Sequence, residues 1–232
     1  MFAQPKIARQ AGPVTIADKH VVSQRSTKVP AMAEIASLVV ADPPELWDDL
    51  GFVVDDAACW VSGIRHQLGA PGEGVLGWTV RDAEALAELP VTEGAPPAVS
   101  PTPSHPNGVI ALDHVVVATP DIGRTIDALE AAGITLRRTR DTGTRERPTI
   151  QAFFKMGETI LEVVGSATAS RPGPARFGGL AFTVADLDAT GGYLGERLRP
   201  AKDAVQPGRR IATLDRSVGS TVPMAFMTPE PR

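Results

Sequence analysis

The chain has 232 residues, 43% of them hydrophobic and 22% charged, a composition typical of a folded protein of one or two domains. Its net charge of −4 gives no reason to expect nucleic acid as a partner, and its apolar runs are too short to cross a membrane. The single cysteine, Cys59, excludes an internal disulfide and favours a reducing, cytoplasmic location.

The first 31 residues differ from the rest of the chain. They carry five basic residues against one acidic residue and show neither a helical nor a strand period. No apolar stretch in this segment is long enough for a secretory signal. We therefore predict a disordered leader over residues 1–31, with an organelle transit peptide as the alternative.

Residues 32–92 form a first half with several strand and helix signals. The apolar run at residues 35–41 predicts a strand, and Asp42 followed by Pro43 predicts a helix cap and first turn. The buried face of that helix would be formed by Leu46, Trp47 and Leu50. Later elements are predicted as one strand at residues 59–68, another at 74–80 and a helix at 82–89.

The stretch from residue 93 to residue 108 contains five prolines and no helical pattern. Proline-rich segments of this kind adopt extended conformations and act as spacers. The sequence therefore predicts a semi-extended linker over residues 93–108 that divides the first half from a longer second half.

Residues 109–229 predict two copies of one unit, which consists of a strand, a helix and three further strands. In the first copy, a β-branched run at residues 112–118 predicts the strand, and Thr119 followed by Pro120 predicts the helix start. Its later strands are predicted at residues 134–140, 150–156 and 158–165. The second copy has predicted strands at residues 177–184, 208–216 and 221–229, and Asp186 as its helix cap.

Two pairs of segments show that the halves repeat each other. Residues 74–86 and 178–190 share six residues in register, and IASLVVADPP from Ile35 matches LDHVVVATPD from Leu112. Internal repeats of this kind indicate a chain that is built from one supersecondary unit. We predict that the strand at residues 74–80 takes, in the first half, the place of residues 178–184 in the second.

Paired βαβββ units, opened by LDHVVVATPD and closed by ETILEVVG, resemble the vicinal oxygen chelate superfamily. This group contains glyoxalases, bleomycin-resistance proteins, extradiol dioxygenases and related epimerases. The resemblance implies an α+β fold in which repeated βαβββ units pair into curled mixed sheets around a cleft. The first half, residues 32–92, would be a shortened, degenerate version, and residues 109–229 would carry two full units.

The resemblance also implies where a metal site would lie. In the superfamily, four inward side chains on the first and last strands of two units hold a divalent metal that chelates vicinal oxygens of the substrate. His114 and Glu162 fill two of these positions, but the other two fall on Gly179 and near Ala225. His114 and Glu162 would thus be ligands of Zn, Ni, Mn, Fe or Co in an incomplete site, or a catalytic acid–base pair without metal. The alternative for His114 is a hydrogen-bonded strand histidine, and for Glu162 an arginine-paired carboxylate.

Three further residues are candidates for substrate binding. Strand alternation requires that one of Phe153 and Phe154 face the cleft, and Phe182 lies on the opposing unit. Core packing is the alternative for these aromatic residues. Arg209, in the basic turn at residues 201–210 that leads into the strand predicted at residues 208–216, could receive an anionic group of the substrate, or could be part of a solvated loop.

Alternation also predicts that His114 points the same way as Leu112 and Val116. Alignment of the two halves puts His66 in the position of Glu162, where it could reach a shared site. The alternative reading of His66 is a partly exposed residue beside Arg65. His105, in the linker, is assigned no role.

The sequence thus leads to two functional hypotheses, beside a third class, a purely structural pseudo-enzyme, that Gly179 and Ala225 keep open. The first is a glyoxalase-like protein that acts on a small oxygenated metabolite by lyase or isomerase chemistry, with or without a divalent metal. The second is a binding protein of the resistance type, which sequesters a ligand in the same cleft without catalysis. The partner is a small molecule in both cases, and a homodimer is compatible with either hypothesis.

Overall fold

The computed structural model describes residues 32–83, 88–92 and 94–231. The predicted leader at residues 1–31 lies outside the described residues, as do Glu93 and half of the helix predicted at residues 82–89. No helix in the described part of the chain is long and apolar enough to cross a membrane.

The first part of the described chain forms a five-stranded sheet. Its elements are β1 (Glu34–Val40), α1 (Pro44–Asp49), β2 (Val54–Asp55), β3 (Ala58–Val61), β4 (Ile64–Gln67) and β5 (Val75–Arg81). The strands lie in the order β2-β3-β4-β1-β5, with β4 parallel and β5 antiparallel to β1.

The second part forms an eight-stranded sheet with two helices. Its first unit comprises β6 (Val109–Thr119), α2 (Ile122–Ala131), β7 (Leu136–Gly143), β8 (Pro148–Met156) and β9 (Thr159–Ser166). Its second unit comprises β10 (Arg176–Val184), α3 (Leu187–Leu194), β11 (Lys202–Asp203), β12 (Arg210–Thr213) and β13 (Met224–Met227). The strand order is β11-β12-β13-β10-β6-β9-β8-β7, so β7 and β11 are the two edges.

The same pairing pattern recurs in the three units that have late strands. The last strand of a unit lies parallel to its first strand, as β9 does to β6, β13 to β10 and β4 to β1. The first strands of two successive units pair antiparallel, as β10 does with β6 and β5 with β1. The predicted fold class, repeated βαβββ units that pair into curled mixed sheets around a cleft, is confirmed, and β5 takes the predicted place of β10.

The prediction of a single strand at residues 59–68 is wrong. Ser62 and Gly63 have positive φ angles of 54° and 72°, which a strand does not contain, and they form a tight turn between β3 and β4. Val61 pairs directly with Ile64 across this turn. The first unit of the first half therefore has all three late strands, although they are short.

Two predicted helix caps are also wrong, because α2 starts two residues later than expected and α1 starts one residue later. Asp121 caps α2, because its side chain accepts a hydrogen bond from the Arg124 amide at 3.0 Å, while the Thr119 hydroxyl bonds that of Thr125. The N-cap of α1 is Pro43, which leaves the Asp42 side chain free for other contacts. The third predicted cap, Asp186 of α3, is observed.

One hydrophobic core is shared by the two sheets. The Phe182 ring on β10 lies 5.1 Å from the Phe52 ring and 6.1 Å from the Trp47 ring of α1, measured between centroids. Phe226 on β13 lies 6.1 Å from Phe182. All four side chains are almost completely buried, so burial of these rings attaches the first half to the second.

Asp42 makes a polar link between the two halves beside this core. It is 1% exposed and accepts hydrogen bonds from the Ser220 hydroxyl at 2.6 Å, the Thr221 amide at 2.7 Å and the Thr221 hydroxyl at 2.6 Å. The Trp47 indole N–H lies 3.4 Å from the same carboxylate. A buried carboxylate is tolerated here because each of its oxygens is bonded.

The linker is packed against the first sheet and is held there by His105. The ring is 4% exposed, its Nδ1 accepts a hydrogen bond from the Val53 amide at 2.9 Å, and its Nε2 donates to the Trp60 carbonyl at 3.2 Å. Burial lowers the pKa of His105, and the bond to Trp60 offsets this only in part. His105, for which the sequence predicted no role, is thus a structural residue in its neutral form.

The outer side of β5 is covered by the short segment at residues 90–92. The Trp78 amide donates to the Pro90 carbonyl at 3.1 Å, and the Thr92 amide donates to the Trp78 carbonyl at 2.8 Å. A Cβ at Gly77 would lie 2.8 Å from the Thr92 hydroxyl, so glycine is required for this close approach.

His66 lies in the shared core and does not reach the cleft. The ring is fully buried, 5.4 Å from the Trp47 ring and 5.9 Å from the Phe182 ring, so the reading of a partly exposed residue is wrong. Among the described residues neither ring nitrogen has a partner at hydrogen-bonding geometry. Burial lowers the pKa of His66 to about 4, and the nearby backbone of Cys59 and Ile64 offsets this only in part.

We predict that Asp42→Ala destabilises the fold by roughly 3 kcal/mol, because three partly buried hydrogen-bond donors of Ser220 and Thr221 would lose their acceptor. Urea unfolding measures the change, and Asp48→Ala, at an exposed carboxylate of α1, is the matched control. Equal midpoints for the two variants would contradict the proposed link.

His66 predicts a loss of stability in acid. The pKa of His66 in the folded protein lies below the ordinary value of 6.5. Between these two pKa values the unfolded chain binds a proton at His66 and the folded protein does not. The stabilisation is complete above pH 6.5 and is lost as pH falls toward 4, on the order of 3 kcal/mol in total. Unfolding free energies measured between pH 4 and 7 should show a smaller decrease in His66→Leu than in the parent protein. Parallel curves would exclude His66 as the source.

Candidate functional site

The eight-stranded sheet curls around a cavity of about 440 Å³. Seven of its strands contribute to the wall, and both edge strands are among them, so the sheet closes most of the way around the space. The polar and charged lining residues are Asp113, His114, Arg137, Arg138, Arg140, Gln151, Glu162, Lys202, Asp203, Gln206 and Glu230. The apolar lining residues are Phe153, Ile160, Ala204, Val205, Ile211 and Met227.

A β-bulge in β6 places two consecutive side chains in this cleft. In the pairing with β10, Ala181 lies opposite His114 and Phe182 lies opposite Leu112, so Asp113 is the extra residue. Asp113 and His114 both line the cavity as a result, whereas Leu112 is 1% exposed in the core. The predicted common direction of Leu112 and His114 is therefore wrong, because the bulge interrupts strand alternation.

His114 and Glu162 come together on the floor of the cleft. The His114 Nε2 atom lies 3.7 Å from the Glu162 Oε2 atom, and both side chains are mostly buried. The Gln151 amide donates a hydrogen bond to the other carboxylate oxygen, Oε1. Parallel pairing of β6 with β9 produces this arrangement, since Val116 lies opposite Glu162 and His114 opposite Ile160.

Asp113 fixes the orientation and the tautomer of His114. Its Oδ1 lies 2.9 Å from the His114 Nδ1, and its Oδ2 accepts hydrogen bonds from Arg209 and, at 2.8 Å, from the Thr183 hydroxyl. Burial alone would raise the pKa of the Asp113 carboxyl, but the bonds from His114 and Arg209 outweigh it and hold that pKa below its usual range. An ionised carboxylate only accepts, so Nδ1 carries the ring proton and Nε2 faces Glu162.

The predicted substrate-binding residues occupy three different environments. Phe153 lines the cleft while Phe154 is fully buried, which is the alternation expected for the pair. Phe182 lies in the shared core, out of reach of a ligand in the cleft, so core packing replaces the substrate contact expected for it.

Arg209 does not present a free guanidinium to a substrate. Its side chain is 2% exposed, pairs with Asp113, and donates to the Thr228 carbonyl at 2.8 Å and the Gln206 amide oxygen at 3.0 Å. It supports the cleft from behind, through Asp113. Arg209 therefore positions Asp113 and does not make the contact with an anionic substrate group that the sequence predicted.

Sequence reasoning missed Asp113, Gln151 and the arginines of β7. Gln151 could have been found from alternation, because it precedes Phe153 by two residues on the same strand. Asp113 could not, because only the bulge turns it into the cleft. The β7 arginines are visible as LRRTR, but an irregularity in the pairing of Leu136 and Arg138 with β8 decides their direction.

The cleft fits a resident divalent metal poorly. No group of three or more His, Cys, Asp or Glu side chains that could hold a metal occurs in residues 32–83, 88–92 and 94–231. Gly179 and Ala225 bring no donor atom from the second unit, and the β7 arginines add positive charge near Glu162. A metal bound by His114 and Glu162 stays a prediction.

No protein-family model and no curated protein matches the chain. Among solved structures, the chain is similar to methylmalonyl-CoA epimerase from Mycobacterium tuberculosis, with 21% identity and a TM-score of 0.42 over 53% of this chain and 91% of that one. A variant of Streptomyces coelicolor methylmalonyl-CoA epimerase in complex with 2-nitronate-propionyl-CoA matches with 20% identity and a TM-score of 0.41, over 53% and 99%. A hypothetical protein from Bacillus halodurans matches with 16% identity and a TM-score of 0.41, over 52% and 95%.

The buried pair of Asp113 and Arg209 predicts a large, partner-dependent stability effect. Asp113→Asn should destabilise the protein by roughly 3 kcal/mol, because it leaves the Arg209 guanidinium buried without its carboxylate. The double variant Asp113→Asn/Arg209→Met should lose less than the sum of the single variants, in a double-mutant cycle of urea unfolding.

The neighbouring pair of Asp188 and Arg210 is the matched control for this cycle. Its nitrogen and oxygen lie 2.9 Å apart, but both side chains are exposed. Asp188→Asn should leave the midpoint unchanged, since an exposed ion pair adds little. An additive cycle at Asp113 and Arg209 would show that the two groups do not support each other.

Proposed function

We propose that the protein binds a small oxygenated metabolite in the cleft and moves a proton on it, as a lyase or isomerase of the glyoxalase-like type. The observation that carries the proposal is the 3.7 Å separation of His114 Nε2 and Glu162 Oε2 inside the cavity. Two contacts of about 2.8 Å can meet across that distance, so both groups can act on the same small part of a substrate.

Glu162 has the features of a general base in this cleft. One oxygen is occupied by the Gln151 amide, which fixes the carboxylate plane. The other, Oε2, has no hydrogen-bond donor within normal distance among the described residues. It would take a proton from a carbon next to a carbonyl, and the C–H electron pair would pass into the enolate.

His114 would act on the oxygen side of the same reaction. With Nδ1 bonded to Asp113, the Nε2 atom of a protonated ring donates toward the cleft and stabilises the developing enolate oxygen. The proton then returns from Glu162 to the same carbon or to a neighbouring atom. In the alternative, the enolate re-forms the carbonyl and a C=C bond while the leaving group departs with its bonding electron pair and takes the proton from Glu162. These outcomes correspond to an isomerase and a lyase, and no step passes through a metal.

A binding protein without catalysis is the second candidate. Arg138 and Arg140 lie over the Phe153 ring, and together these side chains offer a binding surface that takes no part in proton transfer. This candidate shares the cleft, the ligand size and the location of the ligand, and differs only in the absence of proton transfer.

Hydrogen–deuterium exchange tests the proposal directly. The full-length protein is incubated in D₂O with small 2-oxo acids, 2-hydroxy ketones and thioesters that carry an acidic α-proton, and the α-proton signal is followed by NMR. We expect exchange of at least one probe and a reduction of about 100-fold or more in Glu162→Gln, because the base is removed while the shape is kept.

Glu158→Gln, at the exposed carboxylate of the β8–β9 turn, is the control and should exchange at the parent rate. Retention of exchange in excess EDTA supports proton transfer by side chains alone. Loss in EDTA with recovery in Zn²⁺ would replace this mechanism with the metal-assisted one. Calorimetric binding of a probe without exchange would overturn catalysis in favour of the binding protein.

A further inference from the structure

The wall of the cleft formed by β7 carries an arrangement of arginines that the proton-transfer step does not use. The Arg138 guanidinium carbon lies 4.6 Å from the centroid of the Phe153 ring, and that of Arg140 lies 5.6 Å from it. Stacking on an aromatic face holds a guanidinium in place while its N–H donors stay available at the rim of the plane.

These arginines differ in their ion pairing from Arg209, which lies behind the floor of the cleft. Arg209 is neutralised by Asp113, whereas within residues 32–83, 88–92 and 94–231 neither Arg138 nor Arg140 has a carboxylate within 4.0 Å. Arg140 donates instead to the neutral amide oxygen of Gln151.

The acidic groups on the far side of the cleft do not cancel this charge. Asp203 on β11 and Glu230 near the C-terminus line the cavity, but neither forms an ion pair with β7 in the described part of the chain. Lys202, which lines the same far side, offsets part of their negative charge, and the β7 wall stays positive. Guanidinium groups without a partner on a wall of a cavity attract an anion.

The register of the sheet sets where this positive wall lies relative to the reacting pair. Phe153 lies directly opposite Glu162 in the pairing of β8 with β9. Opposite residues in an antiparallel pair have Cβ atoms roughly 5 Å apart. Arg140 also connects to Glu162 through Gln151, so the arginines stand beside the acid–base pair.

We propose that Arg138 and Arg140, supported by Phe153, form an anion subsite for a carboxylate or phosphate group of the substrate. This inference rests on the proposed function for the other end of the ligand. The substrate class is then a small organic anion whose charged group lies a few bonds from the carbon that exchanges its proton. Planar guanidinium groups fit both carboxylate and phosphate oxygens in a bidentate manner.

Titration calorimetry with simple probes tests the subsite. Succinate, inorganic phosphate and the neutral isostere succinamide are titrated into the full-length protein at low and high NaCl. We expect succinate or phosphate to bind more weakly as salt rises and succinamide not to bind, because the subsite recognises charge. The stronger of the two anions identifies the natural group as a carboxylate or a phosphate.

Arg138→Gln is the sharpest variant, because Arg138 contacts Phe153 and does not touch the Gln151–Glu162 pair. We expect about tenfold weaker anion binding in Arg138→Gln and a larger loss in Arg138→Gln/Arg140→Gln. Arg145→Gln, on the exposed turn between β7 and β8, is the matched control and should bind as the parent does. Unchanged melting temperatures show that the variants fold.

Two outcomes would overturn the subsite, namely equal binding by the double variant and the parent, or binding of succinamide as tight as that of succinate. Glu162→Gln separates this inference from the proposed function. If the anion still binds to Glu162→Gln and binding is lost in the arginine variants, the subsite is supported even where no probe exchanges its proton. Exchange that is lost in Glu162→Gln but unaffected by the arginine variants would support proton transfer and reject the subsite.

Discussion

The antiparallel seam between β6 and β10 is the constraint on which the site depends. It joins the two units of the second half, and their parallel last strands, β9 and β13, follow from it on either side. The extra residue Asp113 in this seam turns two adjacent polar side chains into the cleft. Without the bulge, Asp113 would point into the core with its charge, and His114 would lack the acceptor that holds its ring.

The arginines at the cleft differ in what their positive charge does. Arg209 is buried behind the floor, where its charge keeps Asp113 ionised and thus keeps the His114 tautomer fixed. Arg138 and Arg140 lie on the edge strand β7, beside the Phe153 ring, and their positive charge is available to a ligand in the cavity. A guanidinium that is paired with a buried carboxylate supports the site, and one that has no carboxylate partner can serve a ligand.

The sequence predicted the elements that local patterns determine and missed those that depend on register. The strands and helices of the second half, the β5–β10 correspondence and the meeting of His114 with Glu162 follow from periodicity, the repeat and the family resemblance. The turn at Ser62 and Gly63, the Asp121 cap and the inward Asp113 do not, because one extra or shifted residue decides each of them. Burial of Phe182 and His66 was hidden because it results from packing between the halves, which no single segment encodes.

The segment at residues 90–92, which borders β5, protects a sheet edge from pairing with another chain. In the described part of the chain, the second unit of the first half has one strand, β5, which is an edge of its sheet. Edge strands of this kind can template strand addition and fibre growth. Residues 90–92 cover this edge by hydrogen bonds with the Trp78 backbone, and the absence of a side chain at Gly77 leaves space for them. A bulky residue in place of Gly77 would push this segment away and leave the Trp78 backbone open to pairing with another chain.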